Sequence, residues 1–227
     1  MLNLYKNLPN GVVQFPGHPK AYLVDGFLLP LVPEPAEEKL KTPQRLKYHE
    51  TDVIVCTYPK SGTYWTNFIC AQLLGKADFI SDSGEEGHTL SRIVPQMDVW
   101  PVEYYENLPQ PRIIYSHLPM CYMAVNEKPK YIVVMRNPKD VLVSFYFHIR
   151  SMEPIYNYAD GKLDEFFEVF MNGCLSYGSY FNKLLDSLKY YGKPNFLFIK
   201  TRNDGSPKDI CEIIFSEKGK WAIGEII

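Results

Sequence analysis

Hydrophobic positions along the chain fall into two kinds of run. Short β-branched runs without polar interruption predict strands buried on both faces, and longer amphipathic stretches predict helices packed against them. The sharpest strand is Asp52 to Tyr58, with Val53-Ile54-Val55-Cys56-Thr57 at its centre. It stops at Pro59, and Ser61-Gly62-Thr63 leads into a helical stretch from Tyr64 to Leu74, closed by Gly75. Further strands are expected at Arg112–Ser116, Lys130–Met135 and Phe196–Lys200. Asn137-Pro138 opens a helix running to Arg150, a capping residue followed by proline at the first helical position. Two more helices are expected over Leu163–Met171 and Leu175–Tyr191, the second stopped by Gly192-Lys193-Pro194. The alternation predicts an α/β fold with a parallel sheet flanked by helices.

The flanks are less regular. Residues 1–50 are rich in Pro, Gly and Tyr and read as an irregular arm, with short strands at Val12–Phe15 and Lys20–Val24 and a charged run from Glu37 to Lys47. The segment 78–111 is polar and turn-rich. Residues 201–227 form a divergent tail ending in Gly224-Glu225-Ile226-Ile227, an apolar end with no cap. One domain is expected over 1–227, with its core at 51–200.

Composition narrows the function. At 46% hydrophobic and 22% charged the chain is ordinary globular protein. A net charge of -2 provides no global field for nucleic acid or anionic membrane, so neither partner is expected and any anion site must be local. Aromatic residues make up 15%, which suits either a packed core or a pocket for flat ligands. The five cysteines are scattered without a C-x-x-C pair, so neither a zinc site nor a disulfide framework is expected. Met1 to Pro16 lacks the order of a signal peptide, and Gly26 to Val32 is short and broken by Pro30. A reducing, cytoplasmic setting is the expectation.

The candidate chemistry begins at Thr57-Tyr58-Pro59-Lys60-Ser61-Gly62-Thr63-Tyr64-Trp65. A loop from a buried strand to a helix N-terminus offers unpaired N–H groups and the positive end of the helix dipole. Gly62 allows close backbone approach, Ser61 and Thr63 add hydroxyls, and Lys60 adds a full charge, which together suit phosphate or sulfate. A plain strand-to-helix turn with a solvated lysine would share these residues. A nucleoside-triphosphate loop, G-x-x-x-x-G-K-[ST], would need glycine at Ile54 and Pro59, so a kinase is disfavoured. A second strand-loop-helix unit follows at Tyr131 to Ser144, with Arg136 at the strand end, where its planar fork can grip a phosphate. Taken alone, the segment favours an arginine paired with Asp140 and a serine on an ordinary helix face.

Thr57 to Trp65 closely resembles the T-Y-P-K-S-G-T-x-W loop of the cytosolic sulfotransferases. Those enzymes move a sulfuryl group from 3′-phosphoadenosine 5′-phosphosulfate (PAPS) to hydroxyls and amines, releasing adenosine 3′,5′-bisphosphate (PAP). The resemblance implies a P-loop-like fold in which Lys60, Ser61, Gly62, Thr63 and Tyr64 line the 5′-phosphosulfate and Trp65 stacks on adenine. Tyr131 to Ser144 resembles the family's V-x-R-N-x-K-D-x-x-V-S-x-Y motif, which assigns Arg136 and Ser144 to the 3′-phosphate. Ser116-His117-Leu118-Pro119 resembles K-[ST]-H-L-P, whose histidine deprotonates the acceptor. His117 is thereby the candidate base and Lys60 the stabiliser of the leaving oxygen, with no metal required. Tyr115 stands at the family's lysine position, which puts charge stabilisation there in doubt.

The resemblance covers roughly residues 10–200, including Leu175 to Tyr180, which is similar to V-S-Y-G-S-W. Beyond it, the R-K-G-x-x-G-D-W-K segment and the usual dimerisation segment are not found, and Phe215 to Trp221 carries only a faint echo. Two expectations follow: a sulfotransferase with a shortened tail acting on a small aromatic or apolar acceptor, or an impaired form that binds PAP or PAPS or serves only as an interaction partner. Whether it forms a homodimer stays open.

Overall fold

The computed structural model describes Tyr5 and residues 8–31, 36–76 and 86–201. The expected tail from Arg202 onward, and residues 77–85 of the turn-rich segment, lie outside the described residues.

The N-terminal region is more ordered than an irregular arm. Strands β1 (Gly11–Val13), β2 (Ala21–Val24) and β3 (Phe27–Leu29) form an antiparallel meander, and α1 spans Ala36–Arg45. Asp25 and Gly26 turn β2 into β3 with φ of 48° and 80°, the left-handed pair that a two-residue hairpin needs. Helix α1 occupies the charged run. Glu37 and Glu38 in its first turn and Arg45 in its last complement the helix dipole, while Ala36 and Leu40 are buried. So few apolar positions leave almost no periodicity to read.

The core follows the expected alternation: β4 (Val53–Thr57), α2 (Thr63–Leu73), α3 (Glu86–Ile93), α4 (Val102–Glu106), β5 (Ile113–Ser116), β6 (Lys130–Met135), α5 (Pro138–Ser151), α6 (Glu153–Tyr156), α7 (Leu163–Met171), α8 (Tyr180–Leu188) and β7 (Phe196–Lys200). The four strands are parallel in the order β5-β4-β6-β7. Every residue of β4 is buried, and alternate positions serve opposite faces. Val53 and Val55 pack with Ile113, Ile132 and Val134 against Ile69 and Cys70 of α2. Ile54 and Cys56 pack with Ile114 and Val133 against Tyr48, Met97 and Tyr105. A third cluster joins α5, α7 and α8 to the N-terminal strands through Phe145, Phe166, Phe170, Leu23 and Leu29.

Two expected elements change. Helices α3 and α4 sit within the segment read as turns. The helix expected from Leu175 starts only at Tyr180, because Tyr177 and Gly178 take φ of 69° and 71°, after which the Ser179 hydroxyl accepts from Asn182 N at 3.3 Å. Leu175 is apolar and buried, but in a loop.

From β4 the chain moves outward to β5, and from β6 it moves outward to β7 on the other side. The chain therefore leaves β4 and β6 toward opposite edges of the sheet, with a crevice at the carboxyl ends of these two adjacent strands. In open parallel sheets that crevice is where ligands bind.

Candidate functional site

At this crevice the two loops meet. Thr57 pairs with Val134 in register, so the ends of β4 and β6 lie side by side. Arg136, one residue past β6, donates from Nη1 to the carbonyl of Lys60 at 2.8 Å. It does not pair with Asp140, whose Oδ2 is buried with no hydrogen-bond partner. Among the described residues, neither Lys60 nor Arg136 has a carboxylate within ion-pair distance. Burial first, and the Arg136 charge second, lower the Lys60 pKa. Two cations held together without a counterion favour an anion.

The loop itself is tightly set. Lys60 adopts φ 67° and Gly62 φ 112°, and Gly62 occupies the N-cap of α2 without a side-chain cap. The first N–H groups of α2 therefore keep their positive end free of any capping side chain. A Cβ at Gly62 would lie 3.2 Å from Thr201 Cγ2, on a backbone that L-residues rarely adopt. Thr57 and Thr63 hydroxyls bridge the loop at 2.7 Å. The Ser61 hydroxyl is fully buried with no hydrogen-bond partner.

A cleft of about 460 Å³ opens over this loop. Lys60, Gly62, Thr63, Tyr64, Trp65, Arg136, Ser144 and His117 all line it, while Ser61 is fully buried and does not. Trp65 and Tyr64 are about half exposed (48% and 47%), presenting aromatic surface at the rim. Ser144 stands on α5, whose start is set by Asn137 accepting from Lys139 N at 3.0 Å with Pro138 following. The candidate site residues other than Ser61 thus line one cleft.

His117 follows β5, which runs beside β4. Its Nδ1 lies 3.0 Å from the Thr57 carbonyl and 3.0 Å from the Thr57 hydroxyl. A carbonyl can only accept, so Nδ1 carries the proton and Nε2 keeps its lone pair. Burial lowers the His117 pKa to about 3, with the Lys183, His148 and Lys60 charges adding to the shift. The ring is therefore neutral at neutral pH.

Other cleft residues escaped sequence reasoning. Asn67 is buried on α2 and its Oδ1 has no partner. His148 lies one turn beyond Ser144 and stacks on Phe145 at 6.2 Å. Gln96, Asp98 and Tyr177 form a polar chain behind Tyr115. The Asn67 and His148 positions could have been found by projecting each helix from its motif residue. Apart from Gln96–Asp98, the links of the polar chain join residues 19 to 81 apart, and no local pattern announces them. Of the remaining histidines, His18 bonds the Tyr5 hydroxyl far from the cleft, and the His88 side chain lies outside the described residues. Among the described residues no helix is long and apolar enough to cross a membrane.

Comparison with known proteins agrees with this geometry. A sulfotransferase domain model matches residues 50–201. Sulfotransferase 6B1 of Danio rerio is 33% identical over 185 residues, which is 79% of this chain and 60% of that protein. An amine sulfotransferase of Oryctolagus cuniculus is 36% identical over 160 residues, covering 66% of this chain and 50% of that one. The mouse sulfotransferase SULT7A1, solved in complex with PAP, superposes with a TM-score of 0.58 at 25% identity, covering 85% of this chain and 64% of that one. The chain thus spans about half to two thirds of the proteins it matches. With more than half of its length matched by the domain model, it belongs to the sulfotransferase family.

Proposed function

We propose that this chain uses PAPS to sulfate a hydroxyl or amine on a small aromatic or apolar acceptor, without a metal and in the cytoplasm. The observation that carries the reading is the Arg136–Lys60 contact, which gathers two uncompensated cations over a free helix N-terminus beside a neutral histidine. In this reading Lys60, Ser61, Gly62, Thr63 and Tyr64 hold the 5′-phosphosulfate end and Arg136 with Ser144 holds the 3′-phosphate. Trp65 offers its exposed face to the adenine.

The donor supplies the activated sulfuryl group; the chain supplies orientation and charge. Lys60 and the N–H groups at the start of α2 are placed to stabilise negative charge on the leaving oxygen. His117 Nε2 is the free lone pair that accepts the acceptor's proton, held in that tautomer by Thr57. An imidazole at about 3 is a weak base, but the Lys60 charge that helps depress it is offset once an anion sits in the loop. Burial is the larger cause and stays, so anion binding recovers only the smaller, Lys60 part of the shift. The buried free thiols Cys56, Cys70 and Cys174 support a reducing compartment.

Calorimetry with PAP tests the reading. The parent chain is expected to bind, and Arg136→Ala to bind about 10–100-fold more weakly, because a charge-assisted contact is lost. A folded parent giving no heat would overturn it. Binding of PAP without transfer of labelled sulfate from PAPS to any phenol, amine or sterol would identify a binding protein instead of an enzyme.

A further inference from the structure

Tyr115 lines the same cleft as His117, and the two rings meet edge-on with centroids 5.4 Å apart. The phenol donates its proton to Gln96 Oε1 at 2.9 Å. The direction of that bond is set from behind. Gln96 Nε2 faces both oxygens of the Asp98 carboxylate, at 3.0 and 3.2 Å, and the Tyr177 hydroxyl at 2.6 Å. The Tyr177 hydroxyl in turn donates to Asp98 Oδ2 at 3.0 Å. Asp98 and Tyr177 are buried, and an amide whose NH₂ rests on a carboxylate has only its carbonyl left for Tyr115. With its proton committed, the Tyr115 oxygen offers a ligand a lone pair.

His117 offers the same. Its Nδ1–H is taken by the Thr57 carbonyl, and Nε2 is a second lone pair in the cleft. With the two rings 5.4 Å apart, a ligand atom seated against both acceptors must carry two protons. A neutral primary amine gives one N–H to Nε2 and the other to Tyr115, and its own lone pair stays unengaged. A hydroxyl has a single proton. Once that is given to His117, its oxygen opposes the Tyr115 oxygen, or Tyr115 must turn and leave the Gln96 carbonyl unpaired. An ammonium ion has no lone pair with which to attack sulfur, which leaves amines that are uncharged near neutral pH.

We propose that Tyr115, oriented by Gln96 and Asp98, makes this cleft selective for primary aryl amines over phenols of the same shape. The inference rests on reading the His117 side of the cleft as the acceptor site. The test is equilibrium binding of 2-naphthylamine and 2-naphthol, followed by fluorescence with and without saturating PAP, to the parent, Tyr115→Phe and Gln96→Leu. The parent is expected to favour the amine about tenfold, the size of one hydrogen bond against one unpaired group. Tyr115→Phe keeps the ring, removes the oxygen and should erase that preference. Gln96→Leu frees the phenol proton and should turn the preference toward naphthol; if it does not fold, Tyr115→Phe decides alone. A parent without amine preference, or a Tyr115→Phe ratio equal to the parent's, overturns the proposal. Failure of PAP to bind would instead sink the donor reading, while the amine-to-naphthol ratio without PAP still judges Tyr115.

Discussion

On the proposed function, His117→Ala is expected to lower kcat/KM for sulfate transfer by about 10²–10⁴-fold, the range lost with a general base. Affinity for PAP is expected to stay at the parent's level, since Lys60 and Arg136 are untouched. The split matters: a variant that lost both would point to collapse of the Thr57–His117 contact rather than loss of a base. Parent-like turnover would remove His117 from the mechanism. The same residue sets a pH signature. Its folded pKa lies at about 3, below the ordinary value near 6.5. Between those values the unfolded chain binds a proton that the folded chain refuses, so stability rises with pH through this window and levels off above it. Urea titrations from pH 4 to pH 7 should show this slope in the parent and a shallower one in His117→Ala.

The second large effect concerns stability. Arg112→Ala is expected to cost about 3–5 kcal/mol, the usual penalty for orphaning one partner of a buried ion pair. Both side chains of the Arg112–Asp52 pair are fully buried, with Nε to Oδ1 at 2.8 Å and Nη2 to Oδ2 at 2.5 Å. The remaining guanidinium donors reach the carbonyls of Tyr105 at 3.0 Å and Lys47 at 2.8 Å. The pair sits where β4 and β5 begin, next to the Val53 N to Arg112 carbonyl bond at 2.8 Å, and so ties the strands at the end opposite the cleft. Urea midpoints for Arg112→Ala, Asp52→Ala and the double variant check it. The double variant should lose less than the sum of the singles, because no unpaired charge remains. A loss under about 1 kcal/mol in Arg112→Ala would mean that the pair does no more than a surface salt bridge.

Local order decides what could be read in advance. Strand β4, its loop and α2 were legible because an all-apolar β-branched run, a Gly-bearing turn and a helix occupy consecutive positions. The start of α5 was legible for the same reason, through Asn137 and Pro138. The start of α8 was not, because nothing local distinguishes buried Leu175 in a loop from a buried leucine in a helix. Helix α1 was missed because charge complementarity and one thin apolar stripe leave little hydrophobic periodicity.

By itself the amino-acid order determined the parallel α/β class, the two strand-end loops carrying Lys60 and Arg136, and the histidine after β5, since each depends on neighbours within about a dozen residues. Only the tertiary structure decided that these loops touch, that Arg136 turns to Lys60 and not to Asp140, and that His117 holds its proton on Nδ1. It alone decided that Tyr115 faces the cleft with its own proton withdrawn by Gln96. Hydrogen-bond direction belongs to the pair, and these partners are brought together by the fold across 19 to 76 residues of chain, a distance over which no spacing rule operates.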